Sequence, residues 1–170
     1  MRASQIYLKQ EVTRNDAMII KKWMENYEIT KYLNETVNIG PEIQLAIDKV
    51  NMFIMTHIFN QNGGFYLIHA DDNNPIGFLK LVRKQMEAEM VIVIGDKNIW
   101  GRGIGKSSIK KGLEIAFFQW RVNRVVAKIH PNNQRSVKAF ENLGFVLEDE
   151  YKNLKVYSLS MNDFIRKLTG

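Results

Sequence analysis

The sequence predicts a mixed α/β (α+β) fold in which helices flank a central, mostly antiparallel sheet, within a single domain that spans residues 1–170. Two observations support this prediction. Apolar residues recur at the helical period in some segments and form strand-like runs in others. Clusters of glycine, proline and asparagine punctuate the chain between those segments. The predicted order is β-α-α-β-β-β-α-β-α-β-β, and a chain of 170 residues suits one substantial core.

The amino-terminal part of the chain is predicted to contain one strand and two helices. The strand is Ile6–Lys9. Thr13, with Asp16 three positions on, forms a variant of the capping box and predicts a helix start. The apolar stripe of that helix comprises Ala17, Ile20, Trp23, Met24 and Tyr27. A second helix is predicted over residues 41–59, because proline is favoured in a first helical turn and apolar residues follow at helical spacing.

The rest of the chain is predicted to hold most of the sheet and two more helices. An antiparallel meander follows Gly63-Gly64, with strands at 65–68, 76–82 and 88–94. The next elements are a helix over 103–119, a strand at 124–129, a helix over 133–143, and strands at 146–147 and 155–159. Gly144 is expected to cap the second of these helices in a left-handed conformation.

Composition indicates an ordinary globular protein. The chain is 45% hydrophobic and 25% charged, and no apolar run approaches the roughly 20 residues that span a bilayer. The net charge is +6, but the cations are scattered along the chain, which does not favour nucleic-acid binding. The chain has no cysteine, and its amino terminus lacks an apolar signal region. We therefore expect a cytoplasmic monomer or homodimer with no nucleic-acid or membrane partner.

The most informative stretch is residues 100–106, which read Trp-Gly-Arg-Gly-Ile-Gly-Lys. This loop follows an apolar strand and opens an amphipathic helix. Glycines between a strand and a helix let backbone N–H groups approach an anion, and the helix N-terminus adds partial positive charge. The arrangement is typical of phosphate binding.

Two common nucleotide-binding motifs do not fit this loop. Gly105-Lys106-Ser107 matches the end of a P-loop, but no glycine precedes it at the required distance. Gly103-Ile104-Gly105 matches the start of a dinucleotide fingerprint, but Ser108 stands where the third glycine belongs. Both motifs also occur early in a repeated βαβ pattern, whereas this loop lies past the middle of the chain.

A second motif makes the interpretation of this loop more specific. Asn133 and Ser136 are followed by an apolar helix and Leu143-Gly144-Phe145. The pair of motifs resembles the GNAT family of N-acetyltransferases, whose loop reads Gln/Arg-x-x-Gly-x-Gly/Ala and whose second signature is Asn-x-x-Ser/Ala before Leu-Gly-Phe. Trp100 replaces the usual Gln or Arg, a departure also common in the branch that resembles the ribosomal-protein Nα-acetyltransferases. The resemblance covers essentially the whole chain and implies the GNAT fold.

The resemblance also implies an acetyl-coenzyme A site. The pyrophosphate would contact Gly101, Arg102, Gly103, Ile104, Gly105 and Lys106, mainly through backbone N–H groups. The pantetheine arm would lie along strand 88–94, and a backbone N–H near Ile94 would stabilise the oxyanion. The remaining expected cofactor contacts are Val93, Asn133, Ser136 and Phe140. Because the chain has no cysteine nucleophile, the amine is expected to attack the thioester directly in a ternary complex.

Glu89 is the candidate general base, because the resemblance aligns it with the catalytic glutamate of the histone-acetyltransferase branch. Apolar neighbours in a strand make a carboxylate a better proton acceptor. The alternative is a strand-end charge that faces water, since Glu87 lies on the same face of the strand.

The leaving thiolate has no evident acid. Many members of the family use a tyrosine of the Asn-x-x-Ser helix, but this chain has Phe140 at that position. Either another hydroxyl protonates the thiolate, such as Tyr151 or the preferred candidate Tyr157, or the thiolate leaves without an acid.

The acceptor site is expected beside the first two helices, where family substrate pockets lie, and its candidate residues are Trp23, Tyr27 and Tyr32. The histidines are irregularly spaced, so no metal site is expected. The implied function is acetyl transfer to a primary amine of a small molecule, such as a metabolite, amino sugar, polyamine or aminoglycoside. The alternatives are a protein N-terminal acetyltransferase and a non-catalytic acyl-coenzyme A sensor, for which Phe140 gives mild support.

Overall fold

The computed structural model describes residues 5–33, Leu45, Asp48, Lys49, 52–70 and 74–170. Its strands are β1 (Ile6–Lys9), β2 (Gly64–Ala70), β3 (Gly77–Lys84), β4 (Glu87–Ile94), β5 (Arg124–Ile129), β6 (Val146–Tyr151) and β7 (Leu154–Ser160). They form one sheet in the spatial order β1-β2-β3-β4-β5-β7-β6. Neighbouring strands are antiparallel except for the parallel pair β4 and β5. The predicted fold class is confirmed.

Helices cover both faces of this sheet. In the described part of the chain they include α1 (Arg14–Glu25), α2 (Tyr27–Thr30), α3 (Thr56–Phe59), α4 (Ile104–Glu114), α5 (Gln134–Asn142) and α6 (Met161–Thr169). On one face, α4 and α5 bury Ile109, Leu113 and Phe140 against the strands. On the other face, α1 buries Ile20 and Trp23. No helix formed by the described residues has the length and apolarity to cross a bilayer.

The parallel pair creates an opening in the sheet. β4 and β5 pair only at Glu87↔Arg124, Ala88↔Val125 and Glu89↔Val126. Both strands continue beyond these pairs, β4 to Ile94 and β5 to Ile129, without further pairing to each other. Their carboxyl-terminal halves therefore diverge and leave a cleft between them.

Several local predictions are confirmed. Thr13 and Asp16 form the reciprocal capping box at the start of α1. Gly144 has a φ of 99° just after α5, in the left-handed region favoured by glycine. The helix predicted over 103–119 is present, but its last turn, Ile115–Gln119, is π-helical.

Three element predictions need correction. Tyr27 was predicted in the buried stripe of the first helix, but its side chain is 73% exposed. The reason is that α1 ends at Glu25, before Tyr27. A single helix over 41–59 is wrong, because Ile54 pairs as an extended residue with Thr13; most of residues 41–51 lie outside the described residues. The carboxyl-terminal helix α6 was not predicted. It begins at a Ser160 cap that accepts the N–H of Asp163 and buries Phe164.

Candidate active site

The loop between β4 and α4 forms an open cradle of backbone groups. Gly101 and Gly103 have φ angles of 80° and 78°, which glycine adopts without strain. A Cβ added at Gly101, Gly103 or Gly105 would meet no heavy atom within 4 Å. Gly103 is the N-cap of α4 and supplies no side-chain cap, so the first-turn N–H groups have no side-chain partner there. Such donors beside open space can hold an anion such as a pyrophosphate.

The cradle borders a cavity of about 360 Å³, here called the loop cavity. The first turns of α5 form its opposite wall. The lining includes Ile92, Ile94, Trp100, Gly101, Gly103, Ile104, Gly105, Lys106, Arg135, Ser136 and Lys138. Three of these side chains are cationic, which suits a polyanionic ligand. The Arg102 side chain is exposed and does not contribute to the lining.

A stacked pair links the two walls of the loop cavity. The guanidinium carbon of Arg135 lies 3.3 Å from the centroid of the Trp100 ring. The Trp100 Nε1–H donates to the carbonyl oxygen of Ile94 at 3.3 Å. Burial lowers the pKa of Arg135, because desolvation disfavours a cation, but an arginine stays charged at neutral pH. Sequence reasoning gave Arg135 no role, because this contact joins segments that are distant in the chain.

The free edge of β4 presents backbone groups to the cleft. The N–H of Gly95 donates to the carbonyl of Ile76, on the β3 side, at 2.7 Å. Because an antiparallel ladder alternates, Val93 also turns its backbone groups toward β3, whereas Ile92 and Ile94 turn theirs toward the cleft. The Val93 side chain is 5% exposed and packs in the core beside Trp23. Ile92, which sequence reasoning missed, and Ile94 are therefore the residues that offer N–H groups there.

Between the diverging ends of β4 and β5 lies a small cavity of about 40 Å³, here called the cleft cavity. Its lining includes Tyr32, Met90, Ile92, Ala127, Lys128, Ile129, Asn133, Ser136 and Phe140. Asn133 caps α5, its side-chain oxygen accepting the Ser136 N–H at 3.4 Å, so its amide N–H groups are left for another acceptor. Phe140 is 2% exposed and meets Phe145 edge to face at 4.9 Å.

A third cavity, of about 220 Å³, lies on the α2 side of the cleft and is here called the front cavity. Its lining includes Glu28, Lys31, Tyr32, Ile92, Val93, Ile94, Trp100, Asn133, Arg135 and Ser136. It shares Ile92 and Ser136 with both other cavities, so the three form one continuous region around the cleft. A long ligand bound at the glycine loop can therefore reach the front cavity along β4.

Comparison with protein families agrees with this geometry. A family model described as "Acetyltransferase (GNAT) domain" matches residues 8–146, which is most of the chain. The protein belongs to the GNAT family. It is an acetyl-coenzyme A-dependent acyltransferase, as the family and its N-acetyltransferase relatives indicate.

Individual relatives of this acetyltransferase are distant in sequence. An uncharacterized N-acetyltransferase, p20 of Bacillus licheniformis, is 27% identical over 136 residues, which cover 78% of this chain and 75% of the relative. The spermidine N-acetyltransferase of Vibrio cholerae, solved with coenzyme A and spermine, aligns with a TM-score of 0.74 at 19% identity, covering 95% of this chain and 98% of that one. An aminoglycoside acetyltransferase bound to coenzyme A aligns with a TM-score of 0.77 at 14% identity, covering 96% and 99%. These two structures have the same fold as this protein.

Of the acceptor candidates in this acetyltransferase, only Tyr32 lies in the cavities around the cleft. Trp23 is 9% exposed and stacks on Phe78 in the core. A Cβ added at Gly95 would lie 2.1 Å from the Trp23 ring, so the backbone of Gly95 covers this side chain. Tyr27 contributes to none of the cavities described above. Neither side chain therefore lines the cavities around the cleft.

Glu89 lines none of the three cavities around the cleft, but its region adjoins the cleft cavity through Lys128, which lines both. Its carboxylate lies 3.5 Å from Lys128 Nζ and 3.9 Å from Lys84 Nζ. With these groups it lines a cavity of about 380 Å³ at the paired end of β4 and β5, here called the distal cavity, which also contains Glu87 and Arg124. The apolar surroundings expected for a general base are absent at Glu89, because the neighbouring strands β3 and β5 each bring a lysine to it.

Tyr157 lies in the core. Its side chain is 2% exposed, and the Glu141 carboxylate on α5 lies near enough to affect its phenol. Burial, together with that nearby carboxylate, raises the pKa of the Tyr157 phenol. The structure does not bring Tyr157 to any of the cavities around the cleft, because its position on β7 points the ring beneath α5.

Proposed function

We propose that this acetyltransferase transfers the acetyl group of acetyl-coenzyme A to the primary amine of a small molecule by direct attack in a ternary complex. The observation that supports this proposal is the continuity of the glycine cradle, the β4–β5 cleft and the front cavity. Such a path lets a long cofactor bind by its phosphates at one end and present its thioester at the other.

The phosphates would bind at the loop cavity. First-turn N–H groups of α4 would hold the pyrophosphate, since Gly103 and Gly105 leave room for its approach. Lys106 lines the same cavity and adds charge. Arg135, fixed against Trp100, would add a guanidinium from the opposite wall.

The pantetheine arm would run along the free edge of β4. Ile92 and Ile94 offer backbone groups to an extended ligand, in the manner of an added strand. One of their N–H groups would stabilise the charge that develops on the thioester oxygen. Asn133 and Ser136 would contact the arm from the α5 side, since both line the cleft cavity.

A small-molecule acceptor is favoured by the size of the front cavity, about 220 Å³. The spermidine and aminoglycoside acetyltransferases that share the fold act on small amines, as their names state. A protein N-terminus is the second candidate, since the front cavity is open to the surface at Glu28 and Lys31.

A panel of amines tests the proposal. Purified protein is incubated with acetyl-coenzyme A and, in turn, spermidine, an aminoglycoside, glucosamine, lysine or a short peptide with a free N-terminus, and thiol release is followed. We expect turnover with at least one small amine. Turnover of the peptide alone would make the protein an N-terminal acetyltransferase. If calorimetry shows binding of acetyl-coenzyme A but no amine is turned over, the protein would be a non-catalytic acyl-coenzyme A sensor.

A further inference from the structure

Phe140 brings no hydroxyl to the cleft, but a tyrosine that follows α2 lines it. Tyr32 lines both the cleft cavity and the front cavity. Among the described residues it is the only tyrosine that lines any of the three cavities around the cleft. Phe140 lines the same small cleft cavity as Tyr32, so a Tyr32 hydroxyl and one at position 140 would serve the same space.

The Tyr32 ring is held in place by neighbours that are themselves fixed. Its centroid lies 5.1 Å from that of His130. The Nδ1 atom of His130 accepts the backbone N–H of Asn132 at 3.1 Å, which sets the orientation of the imidazole. Lys31 Nζ lies 5.2 Å from the Tyr32 ring centroid. A phenol supported in this way is preorganised for one acceptor position.

Other proton donors around the cleft are less suited. Lys128 Nζ is directed to Glu89 at 3.5 Å, and Lys31 Nζ to Glu28 at 3.1 Å. Arg135 cannot give up a proton at neutral pH. The hydroxyl of Ser136 is an aliphatic alcohol, a far weaker acid than a phenol. Tyr32 is therefore the best-placed acid among the described residues.

We propose that the Tyr32 hydroxyl protonates the thiolate that leaves from acetyl-coenzyme A. This inference rests on the proposed acetyl transfer. After the amine nitrogen has bonded to the thioester carbon, the C–S bond breaks and its electron pair goes to sulfur. Sulfur then takes the phenolic proton, which gives the free thiol and a Tyr32 phenolate. The proton lost by the attacking nitrogen returns through solvent to the phenolate, so the enzyme is restored.

The charges around Tyr32 favour this transfer. Lys31 Nζ lies 5.2 Å from the ring centroid and Arg135 lines the same front cavity, so two cationic side chains border the space in which a phenolate would form. The interaction between the Tyr32 phenol and Arg135 opposes the lowering of the Arg135 pKa by burial.

Replacing Tyr32 tests the assignment. We expect Tyr32→Phe to lower kcat for the best amine of the panel by about 10²-fold, at the low end for general acid catalysis because a thiolate is a tolerable leaving group. The KM for acetyl-coenzyme A should change by less than about threefold, since the proton moves only in the transition state. A structural role would instead raise KM or lower the thermal midpoint. Tyr7→Phe, which removes a hydroxyl on the remote edge strand β1, is the matched control.

A hydroxyl introduced at position 140 provides a rescue experiment. Phe140→Tyr introduced into Tyr32→Phe places a phenol in the same cleft cavity, and kcat should recover by about tenfold or more. A Tyr32→Phe variant whose kcat stays within about twofold of the wild type would overturn the assignment. So would a loss that appears entirely in KM.

Failure of this inference is distinguishable from failure of the proposed function. If the wild type turns over an amine and Tyr32→Phe does so equally well, acetyl transfer stands and the Tyr32 assignment falls. If the wild type binds acetyl-coenzyme A but turns over no amine in the panel, the proposed function fails and the Tyr32 assignment fails with it.

Discussion

The glycines of the cofactor loop have two separable physical roles. Gly101 and Gly103 adopt positive φ, so any other residue there would strain the backbone as well as fill space. Gly105 has no positive φ and lies in the first turn of α4. Its only requirement is the absence of a side chain beside the cradle. Substitution at Gly105 therefore isolates ligand approach from backbone conformation.

We expect Gly105→Ala to weaken coenzyme A binding without destabilising the fold. The added methyl meets no protein atom within 4 Å, and alanine is a better helix former than glycine by up to about 1 kcal/mol. The dissociation constant should rise by about 10- to 100-fold, the equivalent of one lost charge-assisted hydrogen bond. Calorimetric titration and urea denaturation measure the two effects. Ser107→Ala, on the exposed side of the same turn, is the control; unchanged affinity in Gly105→Ala would remove the loop assignment.

The cation at Arg135 is expected to act on the phosphates. Arg135→Ala should raise the dissociation constant of coenzyme A by about tenfold or more, as for a hydrogen bond to a charged group. S-acetylpantetheine, which lacks the nucleotide phosphates, should lose little affinity. Arg166→Ala, on the exposed face of α6, controls for a loss of net charge. Equal losses for both ligands would instead indicate that the Arg135–Trp100 stack supports the shape of the cleft.

Residue-level prediction was limited by contacts that only the fold creates. The phosphate loop was recognisable because its signal is local: alternate glycines between a strand and a helix. The sequence did not reveal which β4 residues turn their backbone groups toward the cleft, because that depends on the register between β4 and β3. The observed register assigns the backbone contact to Ile92 rather than to the predicted Val93. The stack of Arg135 on Trp100 joins two motifs and has no local signature.

At the scale of elements, the divergence of β4 and β5 is the feature that builds the site. Glu89 lies at the last pair before the strands separate. Its contacts with Lys84 on β3 and Lys128 on β5 span three neighbouring strands at that point. Its position therefore indicates a role in fixing where the cleft begins.

We expect Glu89→Gln to reduce kcat/KM by less than about tenfold, whereas loss of a general base costs about 10²- to 10⁴-fold. The free energy of unfolding should fall by about 1 kcal/mol or less, the usual contribution of partly exposed ion pairs. Glu87→Gln, on the same face of β4, is the matched control and should behave alike. A loss near 10²-fold in Glu89→Gln alone, with an altered pH–rate profile, would restore the base role.

Helices were predicted correctly where the spacing of apolar residues agreed with the capping residues at the helix ends, as in α1 and α5. It failed at α6, although Ser160 and Asp163 form a recognisable helix start. The helix follows β7 directly, and the apolar run of that strand obscures the change of period. It also failed around Ile54, where a helical spacing of apolar residues coincides with an extended pairing to Thr13. Tertiary pairing overrode the local pattern there.

At the scale of the whole molecule, two buried phenols connect stability to pH. Tyr66 and Tyr157 are 8% and 2% exposed and lie in the same core cluster. Burial raises the pKa of both above the ordinary tyrosine value of 10.0, because a phenolate loses hydration there, and Glu141 adds to the effect at Tyr157. In the unfolded chain both phenols ionise near the ordinary value.

The free energy of unfolding should therefore fall as the pH rises above about 10, because the unfolded chain then binds fewer protons than the folded protein. The stabilisation is complete below that pH and is lost as the pH rises toward the raised folded values. Tyr157→Phe should make this decline shallower, since one of the two phenols is gone. At pH 8 the free energy of unfolding of the variant should stay within about 1 kcal/mol of the wild type, because only one hydroxyl is removed from the ring.

Urea denaturation between pH 8 and pH 11 measures these changes, roughly across the range in which tyrosine ionises. Tyr27→Phe, which removes a phenol whose side chain is 73% exposed on α2, is the control. Because Tyr157 lies beneath α5, the Tyr157→Phe variant should also keep its rate of thiol release at pH 8. A loss of kcat with unchanged stability would mean that this hydroxyl reaches the reacting sulfur, and the core position described for it would be wrong.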